Sequence, residues 1–144
     1  MTGGEPLAQP NCLRLLERLC DRGLKVSLET SGALDIAAVD ERVSRVVDVK
    51  TPGSREAARN RIDNFGLLTP RDQLKFVICS REDYDWSKAF LQEHGLSQRT
   101  RILFSPSYNE VSPRALADWI LADRLPVRFQ LQLHKVLWGD TPGK

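Results

Sequence analysis

An α/β fold built on a parallel sheet is what this sequence predicts, and three observations predict it. Strand-like runs and helix-like segments alternate from end to end. The strand runs are rich in Val, Ile, Leu and Phe, as strands inside a parallel sheet are. The segments between them are about ten residues long, enough for the crossover that parallel neighbours need. Right-handed crossovers wind such units into part of a barrel or into an open doubly wound sheet, and periodicity alone does not choose between them. No linker, low-complexity tract or internal repeat interrupts the 144 residues, so residues 1–144 read as one domain with a real core.

The elements follow in order. Cys12, Leu15, Leu16, Leu19 and Cys20 fall at helical spacing and form one apolar stripe. Asn11 is placed to cap that helix and Gly23 to end it. Lys25 to Glu29 alternates as a strand does and stops at Thr30-Ser31-Gly32. A short helix is expected from Asp35 to Arg42. The Val-rich run Arg45 to Lys50 is the next strand, ended by Thr51-Pro52-Gly53. A third helix is expected over Ser54 to Asn64, with Ala58, Ile62 and Phe65 on its inner side. Leu74 to Cys79 is a strand. Asp83 to Glu93 is a helix with Trp86, Ala89 and Phe90 inward. Arg101 to Phe104 is a strand closed by Ser105-Pro106. Ser112 caps a helix with Pro113 at its first position, and Leu116, Trp119 and Ile120 form its inner face. Val127 to Leu133 is expected as the last strand.

Charge and composition exclude several classes. The net charge is +2 with both signs mixed, which gives no footprint for nucleic acid or an anionic membrane. The densest basic stretch, Arg42 to Arg61, is broken by Asp48 and Glu56 and reads as a solvated face. No apolar run approaches the roughly 20 residues that span a bilayer. The first residues have neither a basic nor an apolar targeting region, so a cytoplasmic location is the expectation. The three cysteines, Cys12, Cys20 and Cys79, form no CxxC pair. They are expected to be buried thiols that behave as small apolar side chains.

The informative polar residues cluster at strand C-termini. They are Thr2-Gly3-Gly4-Glu5-Pro6, Glu29-Thr30-Ser31-Gly32, Asp48-Val49-Lys50-Thr51, Ser105-Pro106-Ser107-Tyr108 and His134-Lys135. In a parallel β/α fold every strand ends on the same rim, and that rim is where such folds bind ligands. Five polar loops on one rim predict a pocket lined by Glu5, Glu29, Asp48, Lys50, Ser105 and Tyr108. Each cluster alone has a plainer use: Gly3-Gly4 as a turn, Glu29 as a cap or ion-pair partner, His134 as an edge residue. No nucleophile elbow, Walker loop, HExxH or GxGxxG is present. Acid–base or Schiff-base chemistry by Glu29, Asp48 and Lys50 in some other barrel enzyme is a further reading of the same residues.

Thr2-Gly3-Gly4-Glu5-Pro6 resembles the Gly-Gly-Glu motif of radical S-adenosylmethionine enzymes. With Glu29-Thr30-Ser31-Gly32, Asp48 to Ser54, Leu74 to Ile78, Phe104 to Ser107 and Gln130 to Gly139, the whole chain resembles the 7-carboxy-7-deazaguanine synthase family. The resemblance implies a partial (β/α) barrel of the radical S-adenosylmethionine type. It implies a 4Fe-4S cluster, S-adenosylmethionine and Mg²⁺ as cofactors and a pterin as the small-molecule substrate. The family reaction converts 6-carboxy-5,6,7,8-tetrahydropterin to 7-carboxy-7-deazaguanine and ammonia, in queuosine and deazapurine biosynthesis. Carried onto this sequence, Thr2 would touch the pterin, and Gly4 with Glu5 would hold the methionine amino end. Asp48, Val49 and Lys50 would form one wall of the S-adenosylmethionine site, and Ser105, Pro106, Ser107 and Tyr108 would lie along the adenosine. The family's three-cysteine cluster loop and its magnesium threonine precede the Gly-Gly-Glu motif, and neither stands in these 144 residues. The expectation is therefore a C-terminal barrel portion, most simply the product of a truncated gene, that does not cleave S-adenosylmethionine by itself. The alternative is a cluster-free module binding S-adenosylmethionine or a pterin. An open barrel with an exposed edge strand also invites homodimerisation.

Overall fold

A computed structural model of the chain describes residues 1–139 and Thr141. Its centre is a five-stranded, all-parallel sheet. The strands are β1 (Ser27–Thr30), β2 (Ser44–Val49), β3 (Gln73–Ile78), β4 (Arg101–Pro106) and β5 (Arg128–Phe129). The helices are α1 (Cys12–Asp21), α2 (Arg81–Glu93), α3 (Pro113–Ala122) and α4 (Leu133–Trp138). Strand order across the sheet is the order along the chain, so no step reverses direction. Successive right-handed crossovers in one direction put their connections on one face, the winding of a barrel wall. A doubly wound sheet needs a reversal, and this sheet has none.

Burial divides the sheet into two faces. The register row Val49–Phe76–Phe104–Phe129 lies on the covered face, with Leu28, Val47, Leu74 and Ile78. Leu16, Tyr84 and Leu116 bring α1, α2 and α3 onto it. The other face carries the row Asp48–Lys75–Leu103 and, one step further on, Val77–Ser105. Its residues on β1, β2 and β3 are only half-buried, so charge persists there. An aromatic layer links sheet and helices: Phe76 and Phe104 meet at 5.3 Å between centroids, Tyr84 stands edge-on to Phe104, and Trp119 packs on Tyr84.

At the opposite end of the sheet a buried ion pair fixes β2. Asp72 accepts from the backbone N–H of Arg45 at 2.8 Å and from its guanidinium at 3.1 and 2.7 Å. Thr69 donates twice more to the same carboxylate, and Arg45 also donates to the Leu67 carbonyl. Every lone pair taken from water has a partner, the condition under which a buried pair holds a structure together.

Four expectations change. Residues 35–42 form turns, because the Asp35 and Asp40 carboxylates accept from the N–H groups of Ala37 and Arg42, locally competing with a helix. Residues 54–64 are a chain of short 3₁₀ turns interrupted by Arg55 at φ 60°, so Ala58 and Ile62 are exposed and Phe65 alone of the proposed face is buried. Ala89 faces solvent, and α2 buries Tyr84, Ser87, Phe90 and Leu91 with the Asp83 carboxylate. The last strand is only Arg128–Phe129, since its pairing with β4 stops at Phe104 and the chain turns into α4. His134 and Lys135 therefore lie on a helix, not at a strand tip.

Candidate functional site

The C-termini of β1 to β4 share one edge of the sheet, and the loops leaving them form a common rim. The first rim segment precedes β1 in sequence. Gly3 (φ 102°) and Gly4 (φ 59°) take left-handed backbone that favours glycine, with open space where a Cβ would stand. Glu5 then turns back onto the end of β1. Its carboxylate accepts from the Thr30 hydroxyl at 2.8 Å, from the Ser31 N–H at 2.8 Å, from the Ser31 hydroxyl and from the Leu7 N–H at 3.1 Å. Burial pushes its pKa up, but these donors from Ser31, Thr30 and Leu7 outweigh it and hold Glu5 below the ordinary carboxylate value. Glu5 is thus a tether between the two rim segments, and Gly4 is left as the exposed member of the pair. Thr2 donates to the Glu29 carboxylate at 3.2 Å.

The half-buried sheet face continues the rim inward. Glu29 on β1 reaches across β2 to the Lys75 ammonium on β3, at 3.0 Å. Burial raises the Glu29 pKa, the hydrogen bond and charge of Lys75 lower it, and the net displacement is downward. Lys50 pairs with Asp48 Oδ2 at 2.5 Å. The second Asp48 oxygen, Oδ1, is buried with no hydrogen-bond partner, and so is the Ser105 hydroxyl. A buried polar atom without a partner costs about 1–3 kcal/mol, and these two lie on the same face of the sheet. Val49 points the other way, into the helix-covered core at 1% exposure, and only its backbone belongs to the rim. Ser107 donates its N–H to the Ile78 carbonyl at 2.9 Å, which folds the loop after β4 over the end of β3. Pro106, Ser107 and Tyr108 line a cleft of 340 Å³ with Lys135 from α4. The Lys135 ammonium sits 5.7 Å from the Tyr108 ring. Thr2 and Gly3 line a separate cavity of 560 Å³ against α1.

Several site-forming residues escaped sequence reasoning. Lys75 is the central cation of the face; the period-2 alternation of β3 would have placed it beside Asp48 had the register been known. Asn60, Asn64 and Asp83 brace the rim from beneath. Asn64 donates to the Gly32 and Leu34 carbonyls and accepts from Ile36. Asp83 accepts from the Thr51 hydroxyl and the Gly53 and Cys79 N–H groups. Apart from the Cys79–Asp83 bond, these join positions about thirty residues apart and leave no local pattern.

The residues present do not fit an iron–sulfur cluster or a catalytic metal. Cys12 and Cys20 are buried along α1, and Cys79 lies beyond β3, its thiol pushed up to about 11 by burial and by the nearby Glu110. Among the described residues no group of three or more His, Cys, Asp or Glu could hold a metal ion, and no helix is long and apolar enough to cross a membrane.

Fold and rim together define a class: a singly wound, parallel β/α scaffold of the barrel-wall type, with its polar face and rim at the strand C-termini. The chain is 45% identical to the 7-carboxy-7-deazaguanine synthase of Chlorobaculum tepidum over 147 residues, spanning 99% of this chain and 67% of that protein. The synthase of Koribacter versatilis is 42% identical across 99% of this chain and 70% of its own length, and that of Clostridium acetobutylicum is 33% identical across 98% and 66%. No protein-family model matches the chain. The chain belongs to the 7-carboxy-7-deazaguanine synthase family.

Proposed function

We propose that this chain supplies the S-adenosylmethionine- and substrate-facing wall of a cytoplasmic radical S-adenosylmethionine lyase, one that forms 7-carboxy-7-deazaguanine from 6-carboxy-5,6,7,8-tetrahydropterin. Family membership supports the reaction class. The observation that carries the site is the pair of buried, partnerless oxygens, Asp48 Oδ1 and Ser105 Oγ, on the half-buried face of the sheet. In the family reaction, S-adenosylmethionine held at a 4Fe-4S cluster would supply the hydrogen-abstracting group. The residues of this chain bind and orient. Asp48 offers Oδ1 to a hydroxyl or ammonium donor while Lys50 holds Oδ2. Ser105 donates or accepts one hydrogen bond from a position closed to solvent, where such a bond is stronger than in water. Gly4 presents open backbone to the methionine amino end, and Pro106, Ser107 and Tyr108 flank the adenosine. Thr2, tied to Glu29, contacts the pterin. The three dispersed cysteines supply no cluster set among the described residues.

The dispersed cysteines favour a second reading, a module that binds S-adenosylmethionine or a pterin without iron. One titration serves both. Calorimetry with S-adenosylmethionine on the iron-free chain should give measurable binding, weakened about tenfold by Asp48→Ala or Ser105→Ala, the worth of roughly one hydrogen bond to a charged or buried group. No heat and no thermal shift with either S-adenosylmethionine or a pterin would remove both readings.

A further inference from the structure

The ladder between β2 and β3 ends at Val49–Phe76, one residue before Lys50. Lys50 nevertheless keeps a strand-like pair of backbone bonds. Its N–H donates to Asn60 Oδ1 at 2.9 Å, and its carbonyl accepts from Asn60 Nδ2 at 2.8 Å. A single side-chain amide thus replaces a neighbouring strand, donor for acceptor. Asn60 is itself seated by its own N–H on the Ala57 carbonyl, at the end of a 3₁₀ turn. Four residues on, the Asn64 amide grips the loop after β1 in the same manner. The irregular 57–67 segment is therefore a brace beneath two rim loops. A regular helix there would present Asn60 and Asn64 on one stripe with no reason to reach both loops.

We propose that Asn60 is a positioning residue that acts through Lys50: its amide sets the Lys50 backbone so that the ammonium holds Asp48 Oδ2 and leaves Oδ1 turned to the ligand. The inference rests on the reading of Asp48 and Lys50 as one ligand wall, yet it has a consequence that needs no ligand. Without the amide clamp, the Lys50 ammonium leaves Asp48 more often and becomes more reactive.

The test is competitive acetylation of the 144-residue chain with acetic anhydride, each lysine read by peptide mass spectrometry. Asn60→Ala should raise Lys50 labelling about fivefold relative to Lys75 and Lys88, the equilibrium factor of one ordinary net hydrogen bond. Asn60→Asp keeps the acceptor for the Lys50 N–H and loses the donor, so it should fall between wild type and Asn60→Ala. Unchanged Lys50 labelling in Asn60→Ala overturns the proposal. So does a uniform rise at every lysine in both variants, which would make Asn60 merely structural. A second arm measures S-adenosylmethionine affinity. Asn60→Ala should weaken it, and adding Asn60→Ala to Lys50→Ala should weaken it no further than Lys50→Ala alone. A selective rise in Lys50 labelling with unaltered ligand behaviour would uphold the clamp and overturn the ligand wall instead; additive losses in the double variant would overturn the action through Lys50.

Discussion

At the scale of single residues, the decisive feature is how completely each buried charge is satisfied. Asp72 is 1% exposed and meets Arg45 and Thr69 with both oxygens. Asp72→Ala would strand the Arg45 guanidinium, and urea unfolding should show a loss of about 3–5 kcal/mol. Burial raises the Asp72 pKa, but Arg45 and Thr69 outweigh it and hold it below the ordinary value, as donors do for Glu5. A carboxylate depressed in the folded state lends stability that is fully present above its unfolded pKa, about 4, and is lost as pH falls through the lower folded value. Urea midpoints should therefore stay flat from pH 7 to 5 and drop below about pH 4, with a shallower drop in Asp72→Asn. Glu5 shows a limit of sequence reading at this scale. The Gly-Gly-Glu string is legible, but its engagement with Thr30 and Ser31 needs two segments brought together.

At the scale of elements, caps and turns separate what a local pattern fixes from what it does not. Ser112 sits before its helix as the sequence predicted, and Ser80 caps α2, whose start at Arg81 falls two residues ahead of the expected Asp83; their hydroxyls accept from the N–H groups of Ala115 and Asp83. Ser112→Ala should cost about 1 kcal/mol in chemical unfolding. Asn11 stands at the cap position of α1 without a side-chain cap bond, so Asn11→Ala should change stability by less than about 0.5 kcal/mol. Strands were legible to within two residues for β2 and β3, because Val-rich runs bounded by turn residues have few other uses. The segments 35–42 and 54–64 were not, since their polar side chains serve the backbone of other segments. Gly32 gives the sharpest test of an element junction. It holds φ 74°, and a Cβ there would meet Val47 Cγ1 at 2.7 Å. Gly32→Ala should lower the melting temperature by several degrees, reflecting about 1–3 kcal/mol of backbone strain and clash.

At the scale of the whole molecule, one sheet separates a packed side from a chemically open one. Phe104 is fully buried between Phe76 and Tyr84, so Phe104→Ala should cost about 3–5 kcal/mol in calorimetric or urea unfolding. The same sheet carries Glu29, Asp48 and Lys75 on its other side with charge intact. That asymmetry follows from the winding: a strand order that never reverses covers one face with helices and leaves the other as the inside of a wall. The chain matches the first two relatives over about two thirds of their length.

The sequence by itself determined the α/β class, most strand positions, the helix start at Ser112–Pro113, and the polar character of the strand ends. Those features rest on periodicity and turn chemistry, which act over a few residues and are written in order along the chain. Tertiary structure alone decided the sheet order, the face on which each charge lies, the Glu29–Lys75 bridge across β2, and the Asn60 and Asp83 supports. These depend on contacts between residues some 10 to 46 positions apart, and their geometry exists only once the sheet has chosen its register.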